Sequence, residues 1–67
     1  MKITLNNRPE QFNAVRLTIS EILSLKNFTF KMLVVKVNGV LIKKPEYTLA
    51  EVIDGDNVQI LHMISGG

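Results

Sequence analysis

The sequence predicts one α+β domain in which a single helix covers one face of a mixed β-sheet of four to five strands. Three observations predict this class: alternating apolar residues near the N-terminus, a helix-capping box after them, and an Asn-Gly hairpin in the second half of the chain. The 67 residues leave room for one domain only. With no cysteine and one histidine, the chain lacks the residues for a disulfide or a structural zinc site. Packing alone must therefore stabilise the fold.

The chain opens with the pattern of a β-hairpin. Ile3 and Leu5 alternate with polar residues, which is the period of a strand with one buried face. Residues 6–10, Asn-Asn-Arg-Pro-Glu, are typical of a turn. We expect residues 11–15 to return beside the first strand.

A helix is predicted to begin at Thr18 and to end near Lys26. Thr18 and Glu21 fit the capping box, in which a threonine hydroxyl and a glutamate carboxylate bind backbone N–H groups at a helix start. The predicted apolar stripe consists of Ile19, Ile22 and Leu23. We expect this stripe to pack on the sheet.

Residues 33–42 carry the strongest local signal. Two apolar runs flank Asn38 and Gly39, the pair that a type I′ hairpin turn favours. Further along, Thr48 and Glu51 fit a second capping box and predict a short helical turn. Residues 54–57 then predict a turn, and residues 58–64 a last strand. The order of hairpin, helix, hairpin, short turn and strand is that of the β-grasp, or ubiquitin-like, fold.

The sequence ends in Ser65, Gly66 and Gly67. Two glycines by themselves are compatible with a frayed end or a cloning remnant. After the last strand of a β-grasp pattern, they would form a thin tail that can enter an enzyme channel and present its carboxylate. We therefore predict a β-grasp domain over residues 1–64 and a flexible tail over residues 65–67.

The chain resembles the ThiS family, the small ubiquitin-like sulfur carriers of thiamine biosynthesis, and their relatives, the MoaD-type carriers of molybdopterin biosynthesis. The likeness covers nearly the whole chain. Its most specific parts are Val35-Lys36-Val37-Asn38, Tyr47, Asp54-Gly55-Asp56 with Val58, Ile60 and Leu61, and Ile64-Ser65-Gly66-Gly67.

The resemblance implies that an E1-like adenylyltransferase uses MgATP to convert the Gly67 carboxylate into an acyl-adenylate. A persulfide donor, or sulfurtransferase, then supplies sulfur, and the resulting thiocarboxylate serves a thiazole synthase. Ile64, Ser65 and Gly66 would be recognised as the tail. The carrier needs no cysteine, binds no cofactor itself and is not an enzyme, because its sulfur is held on the terminal carbonyl.

Alternation along the last strand places Gln59, Leu61 and Met63 on the outer face if Val58 and Ile60 point inward. Leu61 and Met63 then suggest a patch that docks a partner. The alternative is that both are covered by a loop or are ordinary surface residues.

Other polar residues carry weaker signals. His62 falls on the inward-facing alternation of the last strand or at its fraying end. A lone histidine in a chain with no cysteine and no carboxylate placed near it is more typical of a structural residue than of a catalytic one. Three lysines of the second hairpin are compatible with a solvated strand face or with contact to an acidic partner: Lys36, Lys43 and Lys44.

The alternatives are a MoaD-type small subunit of molybdopterin synthase and a β-grasp module that binds without covalent chemistry. The net charge of +2 and the 6% aromatic content make nucleic-acid binding a weak option. No combination of acid, base and nucleophile supports an independent enzyme. Neither a signal peptide nor a run of about 20 apolar residues is present, so we expect a cytoplasmic protein without membrane contact.

Overall fold

The computed structural model describes residues 1–28 and 32–63. Seven strands, one α-helix and one short 3₁₀ helix occupy these ranges. In chain order they are β1 (Lys2–Leu5), β2 (Arg8–Gln11), β3 (Arg16–Thr18), α1 (Ile19–Leu25), β4 (Leu33–Val37), β5 (Val40–Ile42), the 3₁₀ helix (Lys44–Glu46), β6 (Glu51–Ile53) and β7 (Asn57–His62). Within the described ranges, no helix has the length and apolar character needed to span a membrane.

Five strands form the main sheet in the order β2-β1-β7-β4-β5. β1 and β7 are parallel, whereas β1–β2, β4–β7 and β4–β5 are antiparallel. The sheet is therefore mixed, and the predicted α+β class with one α-helix is confirmed. β3 and β6 form a second, two-stranded antiparallel sheet that the sequence pattern did not predict.

One hydrophobic core lies between the main sheet, α1 and the small sheet. Ile19 and Ile22 supply the buried stripe of the helix, while Leu23 is half-buried beside them. The other buried apolar side chains come from the strands: Ile3, Leu5, Leu17, Val35, Val52, Val58 and Ile60. This stripe and the inward positions of β1 and β7 are as predicted.

The local signals for α1 and the second hairpin are also confirmed. Thr18 Oγ1 accepts a hydrogen bond from the backbone N–H of Glu21 at 3.2 Å, and the Thr18 N–H donates to Glu21 Oε1 at 2.9 Å. The helix ends with Lys26 as its C-cap. Asn38 and Gly39 both have positive φ, 51° and 82°, as a type I′ turn requires.

The first hairpin is tighter than predicted. Its turn consists of Asn6 and Asn7 alone, with φ of 52° and 67°, and β2 already begins at Arg8. Pro9 is tolerated in β2 because this strand is at the edge of the sheet. Thr4, the residue opposite Pro9, directs its N–H away from β2 to the Asp56 carbonyl, so the ladder needs no donor from proline.

The prediction of a short helical turn capped by Thr48 and Glu51 was wrong. The helical turn lies earlier, at Lys44–Glu46, and Glu51 belongs to β6, where it pairs with Thr18. The segment before β6 has another role, since the carbonyls of Tyr47 and Ala50 accept hydrogen bonds from the N–H groups of Ser20 and Ile19. These bonds satisfy backbone donors in the first turn of α1, which have no partner within the helix.

Candidate functional site

The candidate site lies where β7 ends and the chain continues toward its C-terminus. Val58 and Ile60 are buried, Gln59 is half-buried and Leu61 is exposed, so the predicted alternation along this strand is confirmed. One further hydrogen bond, from the Met63 N–H to the Met32 carbonyl at 2.9 Å, extends the contact between β7 and β4 past the last paired residues. Met63 is thus held at the sheet at the point from which the last four residues follow.

The sheet face opposite the core carries an apolar surface near this point. Leu61 of β7 lies opposite Val34 of β4, and Leu41 of β5 lies opposite Lys36 of β4 on the same face. Leu41, Leu61, Met32 and Met63 are each about half exposed. We call the following five residues the outer patch: Met32, Val34, Leu41, Leu61 and Met63.

A groove of about 610 Å³ adjoins the outer patch. It lies beside the start of β4, beyond the end of the shorter strand β5, whose last pair is Val35 with Ile42. Phe28 after the helix and Tyr47 after the 3₁₀ helix line it on the core side, and Met63 lines it on the tail side. The groove and the outer patch therefore meet at the end of β7.

Hydrogen bonds at two other places hold β7 in position. The Asn6 side chain acts as an additional strand partner: its Oδ1 accepts from the Ile60 N–H at 2.8 Å, and its Nδ2 donates to the Ile60 carbonyl at 3.1 Å. At the start of β7, the Asn57 N–H donates to Asn38 Oδ1 at 2.9 Å, and the Asn38 N–H donates to the Asn57 carbonyl at 2.7 Å. The strand is thereby fixed before the exposed end begins.

The loop before β7 is held by its own carboxylates. Asp54 Oδ1 accepts from the backbone N–H of Lys2 at 2.7 Å, and Asp56 Oδ2 accepts from that of Ile53 at 3.0 Å. Asp56 Oδ1 also accepts from Asn38 Nδ2 at 3.0 Å. These residues lie at the opposite end of β7 from Met63, so their contacts are structural.

The chain is similar to known proteins over nearly its whole length. The ThiS family model matches residues 3–67. The chain belongs to the ThiS family. No curated protein matches it significantly.

Among solved structures, the crystal structure of the thiamine biosynthesis protein ThiS from Geobacter metallireducens is 32% identical to this chain. The two structures superpose with a TM-score of 0.88, and both chains are covered completely. A solution NMR structure of a thiamine biosynthesis protein from the same organism is also 32% identical, with a TM-score of 0.77 and coverage of 100% of this chain and 88% of the other.

These comparisons confirm the predicted ThiS resemblance and the β-grasp fold of the chain. The structure divides the motif residues that carry this resemblance into two groups. Asn38 and the Asp54-Gly55-Asp56 turn hold the fold together at one end of β7. Leu61 and Tyr47 belong to the surface at the other end.

The predicted tail residues of this ThiS-family chain, Ile64, Ser65, Gly66 and Gly67, lie outside the described residues. The predicted docking residues Leu61 and Met63 are exposed and close to the groove, while their docking role stays a prediction. His62 is exposed as the last residue of β7, opposite Leu33. Within residues 1–28 and 32–63, no group of three His, Cys, Asp or Glu residues could hold a metal ion.

The sequence did not indicate the part of the outer patch that comes from β4 and β5. Val34 and Leu41 join the outer patch because the register places them beside Leu61 and Lys36. Alternation within residues 33–37 would have separated Val34 from the buried Val35, but no local signal aligns β4 with β7. The groove could not be predicted from the sequence, because the described residues that line it come from six separate stretches of the chain.

Proposed function

We propose that this protein is the sulfur carrier of thiamine biosynthesis, acting as a protein substrate rather than as an enzyme. The observation that carries this proposal is the ThiS family match, which runs from residue 3 through Gly67 and includes both terminal glycines. The full-length similarity to a ThiS crystal structure supports the same function. The absence of cysteine agrees with a sulfur held on the terminal carbonyl.

In the proposed chemistry, the Gly67 carboxylate attacks the α-phosphorus of MgATP on an E1-like adenylyltransferase and pyrophosphate leaves. The product is an acyl-adenylate, which is a good electrophile, whereas a carboxylate is a poor one. A persulfide of a sulfurtransferase then attacks the acyl carbon and AMP departs with one carboxylate oxygen. The product is an acyl disulfide between Gly67 and the sulfurtransferase. A thiol attacks the sulfurtransferase sulfur of this bond, so a new disulfide forms between the thiol and the sulfurtransferase and the thiocarboxylate is released on Gly67.

Residues of the tail and of the outer patch have different proposed roles. Gly66 and Gly67 carry no Cβ, so together with Ser65 and Ile64 they make a narrow segment for the active site of the adenylating enzyme. Leu61 and Met63 provide exposed apolar area beside that segment and dock the partner. The same surface would then face a thiazole synthase, which accepts the sulfur.

The test is to incubate the protein with the adenylyltransferase from its own source, MgATP and a persulfide donor, and to measure the intact mass. We expect one oxygen to be replaced by sulfur, and fragmentation to locate the change at Gly67. Two variants are matched controls: deletion of Gly67, and addition of one alanine after it. Both should remain unmodified, because the activated carboxylate is displaced by one residue. An unmodified wild-type protein would refute the proposal.

The MoaD-type function is distinguished by the sulfur acceptor. The thiocarboxylated protein should support thiazole formation by a thiazole synthase and should not replace the small subunit of molybdopterin synthase. A deletion strain should correspondingly require thiamine or its thiazole moiety while its molybdoenzymes remain active. The reverse pair of phenotypes would favour the molybdopterin pathway.

A further inference from the structure

The charged side chains that line the groove beside the outer patch are all positive in the described structure. Lys43 and Lys44 line it, and none of the described residues lining it is acidic. The two ion pairs of the described residues lie elsewhere, between Arg16 and Glu51 and between Lys26 and Glu10. The apolar wall of the groove is therefore bordered by two exposed lysines without a carboxylate partner in the described structure.

Glu46 has the carboxylate nearest in sequence to Lys43 and Lys44, but this carboxylate forms no ion pair with either lysine in the described structure. Glu46 Oε1 accepts a hydrogen bond from the backbone N–H of Lys43 at 3.0 Å, and its carbonyl accepts from the N–H groups of Leu49 and Ala50. Glu46 thus stabilises the start and the end of the turn around the 3₁₀ helix. Lys36 adds a third exposed cation on the outer face of β4, opposite Gln59 and Leu41.

We propose that the groove receives a segment of the adenylating enzyme that inserts an apolar side chain between Phe28, Leu41 and Met63 and pairs carboxylates with Lys43 and Lys44. Apolar contact alone gives little orientation, whereas paired charges accelerate encounter and fix the register of two surfaces. This inference rests on the proposed function only for the identity of the partner. It adds the chemistry of the partner's contact surface, an acidic and apolar segment.

The position of the groove suits such a contact. Met63 lines the groove and is four residues from Gly67. Four residues span at most about 13–14 Å when fully extended. A partner segment in the groove would therefore contact the carrier within about 13–14 Å of the Gly67 carboxylate. This contact would set the direction in which the tail enters the enzyme.

The first experiment measures the dissociation constant of the carrier and the adenylating enzyme by titration calorimetry at low and high ionic strength. Lys43→Gln/Lys44→Gln removes both charges without placing a new carboxylate beside Glu46. At low salt we expect about tenfold weaker binding than wild type, and at high salt a much smaller difference, because screening removes the same attraction. Arg8→Gln is the control, since Arg8 is exposed on β2 and forms no ion pair in the described structure.

The second experiment tests the apolar half of the contact. Leu41→Ser removes an exposed side chain that lines the groove, whereas Leu49→Ser removes one that is 75% exposed and does not line it. We expect Leu41→Ser to weaken binding several-fold at both salt concentrations and Leu49→Ser to leave it unchanged.

Two outcomes overturn the inference: wild-type affinity of Lys43→Gln/Lys44→Gln at low salt, or a wild-type protein that does not bind the enzyme. In the first case, the lysines are only solvated surface residues. The proposed function is judged separately by the mass of the product. A protein that binds as described but is not thiocarboxylated would contradict the proposed function and leave the docking inference standing.

Discussion

Neighbouring residues of β7 have opposite environments, and this difference underlies both stability and the candidate site. Ile60 is 4% exposed and packs in the core, whereas Leu61 is 51% exposed in the outer patch. The backbone pleat alone produces this contrast, since successive side chains point to opposite faces of a sheet. Asn6 holds the backbone of Ile60 from the side and so maintains the register on which both positions depend.

The substitutions Ile60→Ala and Leu61→Ala form a matched pair on this strand. We expect Ile60→Ala to lower the free energy of unfolding by about 2–5 kcal/mol, because it leaves a cavity in the core. Leu61→Ala should change it by about 0.5 kcal/mol or less, as is usual for surface positions. Chemical denaturation followed by circular dichroism measures both values, and equal losses would contradict the assignment of the two faces.

Structural elements that depend on contacts between residues close in sequence were predictable from the sequence. The capping box of α1 and the Asn38-Gly39 turn each depend on chemistry within four residues, and both are found where predicted. β3 and β6 have only three residues each and exist through pairing with each other across about 35 positions of the chain. The Thr48 capping box failed for the same reason, because hydrogen bonds to α1 and pairing with β3 determine the structure of that segment.

The two capping boxes offer an internal comparison. Thr18→Ala should destabilise the protein by about 1 kcal/mol, within the usual range of about 0.5–2 kcal/mol for loss of an N-cap side chain. Thr48→Ala should have almost no effect, because the Thr48 side chain is exposed and makes no hydrogen bond to the described part of the chain. Thermal unfolding of both variants measures the difference. An equal or larger loss for Thr48→Ala would contradict these different roles of the two threonines.

At the scale of the whole molecule, the ends of β7 have separate tasks. Asn38, Asp54 and Asp56 hold the fold at one end, and the apolar surface with its lysine-lined groove lies at the other. The sequence could indicate Leu61 and Met63 as members of this surface through alternation. It could not indicate its extent, because the outer patch is assembled from residues on or next to three strands that meet only in the folded sheet.

This separation predicts that the apolar surface can be changed without loss of the fold. Leu61→Glu and Met63→Glu should each weaken binding to the adenylating enzyme by about tenfold or more, because association would bury an unpaired carboxylate at the centre of an apolar contact. Both positions are about half exposed, so the free energy of unfolding should change by about 0.5 kcal/mol or less. Val15→Glu is the control, since Val15 is 86% exposed and lies outside the outer patch. Titration calorimetry gives the affinities and denaturation gives the stabilities. If all three variants bind like the wild type, Leu61 and Met63 are ordinary surface residues, and the adenylating enzyme must recognise the carrier through another surface.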